Sequence, residues 1–147
     1  MKFVILGAGA LGTVIAAYLA RAGEDVSLIA RGARAQHLTA NGVTITGLDD
    51  FTVAVNIVED TSTLNSTDVL ILAVKTYDTD AAITAVAHMD IGAVFSIQNG
   101  VMKNELLAKA FGAGHVLGSV CMVGGAIRAD GAANYIMGNP TIIGELA

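Results

Sequence analysis

The chain has 147 residues with a formal net charge of -5, is 54% hydrophobic and only 14% charged, and contains one cysteine. That length suits one domain with a full core, and that composition excludes general disorder. The acidic balance without any basic block excludes a broad nucleic-acid surface, and the single Cys121 excludes an internal disulfide framework.

The first element is an apolar strand, Lys2-Phe3-Val4-Ile5-Leu6, running directly into Gly7-Ala8-Gly9-Ala10-Leu11-Gly12. Leu11, Val14, Ile15, Tyr18 and Leu19 then recur at helical spacing, so residues 13–22 read as a helix. A glycine triplet alone is an ordinary tight turn; between a buried strand and a helix it is the dinucleotide-binding arrangement. Gly7 permits the turn, Gly9 leaves room for a pyrophosphate, and Gly12 lets the helix pack on the strand. The unpaired N–H groups of the helix start face the anion. Ala8, Ala10 and Leu11 complete the loop. The uncharged run 3–20 could pass for a signal peptide or a membrane span, but its glycines interrupt it where strand should turn into helix, and Arg21 closes it. A soluble, cytoplasmic protein with no membrane partner is the resulting expectation.

The second strand spans 25–30, and its C-terminal end should lie beside the adenosine ribose, roughly 20 residues beyond the glycines. A carboxylate there would favour NAD; this chain has Ala30-Arg31-Gly32-Ala33-Arg34 instead. A guanidinium matches a ribose 2′-phosphate in charge and fork geometry, so Arg31 points to NADP(H). Arg34, one helical turn further on, is an auxiliary candidate whose simplest role is to face solvent. Residues 33–40 read as a short helix. Residues 43–46 and 51–55 read as a small hairpin inserted at one edge of the sheet.

The core resumes with a nearly continuous apolar strand at 68–74, a helix at 79–88, a strand at 93–97, a helix at 103–111 and a strand at 115–120. This alternation predicts a Rossmann-type α/β domain: a doubly wound, mainly parallel sheet with helices on both faces. Residues 122–128 and 135–143 have no helical pattern and read as a C-terminal β-hairpin at the sheet's edge. Ligands in such folds collect beyond the C-terminal ends of strands, where Lys75-Thr76-Tyr77-Asp78 and Gln98-Asn99-Gly100 stand. Lys75 is read as a second positive charge near the adenosine phosphate, Asn99 as a hydrogen-bonding partner of a nicotinamide ribose or a substrate carbonyl. His37, His88, His115 and Cys121 make no metal-ligand spacing and no nucleophile–base pair, so no metal is expected. The cysteine reads as a small buried residue.

In this order, the glycine loop at 7–12, Ala30-Arg31-Gly32, Val74-Lys75-Thr76-Tyr77-Asp78 and Ile97-Gln98-Asn99-Gly100 resemble the ketopantoate reductase family. The closing stretch from Gly131 to Gly144 is similar to that family's transition out of its nucleotide domain. The resemblance implies NADPH-dependent reduction of a 2-oxo acid, in the route to pantothenate, with Gly7, Gly9 and Gly12 on the pyrophosphate. It places Arg31 and Lys75 on the adenosine phosphate region and Asn99 on the nicotinamide or substrate side. Asp78 departs from the pattern, since a neutral amide would suit a phosphate better, and no contact is assigned to it. The family carries its catalytic lysine and a substrate-site glutamate on a C-terminal helical domain, so no catalytic residue is assigned within 1–147. The chain reads as a truncated nucleotide-binding domain that binds cofactor without turnover, with a homodimer as a further possibility. Two alternatives stay open: a non-catalytic NADP(H)-sensing module, and a reductase of the same superfamily acting on another oxo acid.

Overall fold

A computed structural model describes residues 1–146. Five strands form a parallel sheet in the order β5-β2-β1-β6-β7: β1 (Lys2–Leu6), β2 (Asp25–Ile29), β5 (Asn56–Val58), β6 (Ser66–Leu72) and β7 (Asp90–Ser96). The chain leaves β1 toward β2 and β5, then crosses back to lay β6 on the other side of β1. The sheet therefore has its topological switch between β1 and β6, where the strand ends open a crevice.

Alternation along the strands assigns the two faces. Ile5, Leu28, Ile71 and Phe95 point to one core, with Val14, Ala16 and Ala17 of α1 (Ala10–Arg21) and Ala35 and Leu38 of α2 (Gly32–Asn41). Val4, Leu6, Leu70, Leu72 and Val94 point to the other, against Ala82 and Val86 of α3 (Thr79–Val86) and Leu107 of α4 (Lys103–Phe111). Each fully buried Ile or Leu contributes about 1.5–3 kcal/mol by leaving water. The doubly wound α/β architecture predicted above is thus the one formed, and α4 has the predicted bounds.

The flanking strands differ from the sequence reading. The hairpin of β3 (Val43–Gly47) and β4 (Phe51–Val53) forms, and so does that of β9 (Val123–Ile127) and β10 (Ala133–Gly138). Neither extends the parallel sheet. β10 pairs in parallel with β3, producing a second sheet of order β4-β3-β10-β9. The strand β5 lies just past the stretch read as hairpin, in residues assigned to no element; three residues carry no periodicity, and its place is set by pairing to β2 and by the Asn56 amide donating to the Ser27 hydroxyl at 3.0 Å. β8 (Leu117–Val120) lies beside β7, where Val116 just before it makes an isolated bridge to Val94 and the Ser119 hydroxyl donates to Ser96 O, and it pairs antiparallel with β11 (Ile142–Glu145).

The second sheet covers the side of α1 turned away from the first. Tyr18 of α1 packs edge-on against Phe51 and Tyr135, with ring centroids 5.3 and 5.6 Å away, and Arg21 lies over Phe51 at 4.4 Å. Asp49, in the β3–β4 turn, accepts from Tyr18 Oη at 3.0 Å and Arg21 Nη1 at 2.7 Å. The Asp50 N–H, the Tyr18 hydroxyl and the Arg21 guanidinium together hold its carboxyl below the ordinary value of 3.8. A depressed carboxylate stabilises the fold above its unfolded pKa, and that contribution disappears as pH falls through the folded one. The melting temperature of Asp49→Asn should therefore lie below that of the parent at neutral pH and converge with it in acid, as pH falls through the folded pKa. A gap unchanged by acid would remove Asp49 from this junction.

Candidate functional site

Close backbone contact shapes the loop after β1. Gly7 has φ +113°, and a Cβ there would lie 2.9 Å from Val74 N and Cγ1 at the end of β6. At Gly12 a Cβ would lie 2.0 Å from the Gly7 carbonyl oxygen, so α1 crosses directly over the turn. Gly9 is different: a Cβ there would meet nothing within 4 Å. Gly9 also caps α1 with no side-chain bond and no acidic residue in the first turn, leaving the helix N-terminus with its N–H groups and positive dipole end available. Gly12 packs and Gly9 faces open space, while Gly7, read from sequence as the turn residue, also packs against Val74.

Cavities flank this loop on both sides. The first, about 330 Å³, is bounded by Leu6, Gly7, Ala8, Ile29, Ala30, Arg31 and Arg34, with Thr61, Asp78 and Ala82 opposite. The second, about 310 Å³, is bounded by Gly9, Ala10, Leu11, Lys75, Thr76, Gln98 and Asn99, with Val123, Gly124 and Gly125 of β9 as its far wall. Arg31 therefore stands at the end of β2 as expected, exposed and without an ion-pair partner among the described residues. Lys75, expected beside it, lines the other cavity with Asn99. Strand β6 lies across β1 from β2.

Arg34 is also not the solvated residue expected. It is half-buried, with Nε donating to Ala8 O at 3.1 Å, Nη2 to Thr13 Oγ1 at 3.1 Å and Nη1 to Gly131 O at 2.6 Å. Burial pushes its pKa down from the ordinary guanidinium value. Cys121, read as buried, is partly exposed and accepts from Thr141 Oγ1 at 3.6 Å.

The loop carrying Asn99 is built by residues that have no role in the sequence reading. Gln98 Nε2 donates to Val74 O and Thr79 Oγ1, both at 2.8 Å, bolting the end of β7 to the end of β6. Lys103 Nζ donates to the carbonyls of Ser119 at 2.8 Å, Ser96 at 3.0 Å and Gln98 at 3.1 Å. Burial lowers the Lys103 pKa, and the charge of Cys121 opposes that shift. The only sequence signal was the position of these residues after a strand. Asn99 is exposed, its carbonyl accepting at 3.5 Å from Thr76 Oγ1, so its side chain is presented to the cavity on a braced backbone.

Two substitutions separate packing from binding in the loop. Gly12→Ala should lower unfolding free energy by about 2 kcal/mol or more in urea, because its methyl meets backbone. Gly9→Ala should leave stability within about 0.5 kcal/mol while weakening anion binding, since its methyl enters open space. Arg31→Ala should weaken NADPH at least about tenfold and NADH little in calorimetric titrations. Equal losses would deny Arg31 the 2′-phosphate.

A family model for ketopantoate reductase PanE/ApbA matches residues 3–147. The 2-dehydropantoate 2-reductase of Pyrococcus abyssi is 36% identical over 147 residues, covering 98% of this chain and 47% of the relative. That of Archaeoglobus fulgidus is 36% identical over 142 residues, covering 97% and 46%. A crystal structure of 2-dehydropantoate 2-reductase from Geobacter metallireducens superimposes with a TM-score of 0.91 at 27% identity, over 99% of this chain and 49% of that one. The chain spans about half the length of the curated relatives it matches.

Proposed function

The chain belongs to the ketopantoate reductase family, and we propose that it is the NADPH-binding half of a 2-oxo-acid reductase acting on 2-dehydropantoate. The observation that carries this reading is the glycine loop at the sheet's switch point, open at Gly9, with Arg31 on one side and Lys75 and Asn99 on the other. A dinucleotide has the matching order of parts: adenosine, pyrophosphate, nicotinamide.

The residues fit that group. The first cavity has apolar walls for an adenine in Ile29, Ala81, Ala82 and Ala85, and the Arg31 guanidinium for a 2′-phosphate. The start of α1 offers N–H groups and no acid to the pyrophosphate. When bound, NADPH supplies the hydride for the substrate's carbonyl carbon. Lys75 and Asn99 orient the nicotinamide end and the oxo acid: the ammonium attracts the substrate carboxylate, and the amide both donates and accepts. Gln98 and Lys103 hold the Asn99 backbone for that task.

Reduction of a ketone also needs a proton for the developing alkoxide. We assign that donor, with the rest of the substrate site, to a helical domain of the kind implied by the family. Exposed apolar side chains offer surface for such a domain: Val101 at 89% exposure, and Val120 at 58% opposite Ile142 at 61% across the β8–β11 pair. Calorimetric titration of the chain should show NADPH bound more tightly than NADH, and mixing it with 2-dehydropantoate and NADPH should give no ordinary turnover. Equal affinities would reject the NADP(H) assignment, and turnover at an enzymatic rate would reject the division of labour.

A further inference from the structure

Two arginines border the first cavity, and they are built differently. Arg31 is exposed and carries no partner among the described residues, as a group awaiting a ligand should be. Arg34 is half-buried, and three of its N–H donors already hold three separate parts of the protein.

The partners explain what this does. Ala8 lies in the middle of the glycine loop, and its carbonyl accepts from both Arg34 Nε and Thr13 Oγ1, each at 3.1 Å. A carbonyl dipole turned toward a pyrophosphate would repel it, so committing this oxygen to two donors leaves the loop's N–H groups as the face offered to an anion. Arg34 Nη2 reaches that same Thr13 hydroxyl, closing a ring of three hydrogen bonds under the loop. Nη1 extends to Gly131 O in the β9–β10 turn, and β9 provides Val123, Gly124 and Gly125 to the second cavity. All of its acceptors are neutral, so the positive charge stays uncompensated beneath the loop. Only a planar fork reaches three acceptors in these directions, and a lysine ammonium could not reproduce the pattern.

We propose that Arg34 is a positioning residue for the dinucleotide pyrophosphate: it turns the Ala8 carbonyl away from the anion and clamps the β9–β10 turn to the glycine loop. The inference rests on the dinucleotide reading above. It differs from the role of Arg31, because the pyrophosphate is common to NADPH and NADH and the 2′-phosphate is not.

The test is calorimetric titration of the parent chain, Arg34→Met and Arg34→Lys with three probes: NADPH, NADH and adenosine 2′-monophosphate, which lacks the pyrophosphate. Arg34→Met should weaken both dinucleotides by the same factor, roughly tenfold, and leave adenosine 2′-monophosphate within about twofold. Arg34→Lys, which keeps the charge and loses the fork, should show the same equal loss in smaller measure, and it carries the comparison alone if the Met variant does not fold. A loss confined to NADPH and adenosine 2′-monophosphate would make Arg34 a direct 2′-phosphate ligand and overturn the proposal. A parallel loss of all three probes with a lowered melting temperature would reduce Arg34 to a fold-stabilising residue. Unchanged dinucleotide affinity would also overturn it. A parent chain that binds neither dinucleotide would instead fail the reading on which this one rests.

Discussion

The close passage of α1 over the turn that follows β1 is the constraint on which the rest of the structure depends. With the Gly12 Cβ position only 2.0 Å from the Gly7 oxygen and that of Gly7 within 2.9 Å of Val74, strand β1, helix α1 and strand β6 meet without room for a methyl group. This contact draws the helix N-terminus to the switch point between β1 and β6 and leaves Gly9 as the open residue above it. The outcome is a helix N-terminus whose N–H groups stand free at the switch point, the geometry on which the proposed pyrophosphate site rests.

Helix α1 is then buried from two sides. Gly12, Thr13, Val14, Ala16 and Ala17 are buried residues of one twelve-residue helix, a proportion suited to an element enclosed between layers rather than lying on a surface. The parallel sheet takes one side; Tyr18, Arg21 and the Asp49 turn fasten the second sheet to the other. The second sheet is thereby part of the site. Its strand β9 forms the wall of the cavity that holds Lys75 and Asn99.

Cations in this region serve carbonyl oxygens as much as ligands. Lys103 gathers the carbonyls of Ser96, Gln98 and Ser119 at the ends of β7 and β8, and Arg34 gathers those of Ala8 and Gly131. Strand ends and turns expose unpaired carbonyls, and leaving them buried and unbonded would cost about 1–3 kcal/mol each. Charged donors satisfy several at once and hold separate segments in register. Arg31 and Lys75 have no such duties among the hydrogen bonds of the described residues, which is the physical distinction between a cation that builds the site and one presented to it.

Local pattern determined the repeating part of this protein. The apolar strands β1, β2, β6 and β7, the helical spacing after Gly12, and glycines at the strand-to-helix turn each follow from neighbours in the chain, so the doubly wound fold, the glycine turn and the place of Arg31 at the end of β2 were legible. Only the tertiary structure decided that β10 pairs with β3, that three residues at 56–58 complete the parallel sheet, that Lys75 stands with Asn99 and not with Arg31, and that Arg34 is pinned beneath the loop. Each of these depends on segments far apart in sequence, up to 97 residues between Arg34 and Gly131. A hydrogen bond across such a separation leaves no periodicity behind; it is chosen by which surfaces remain unburied after the local elements have formed.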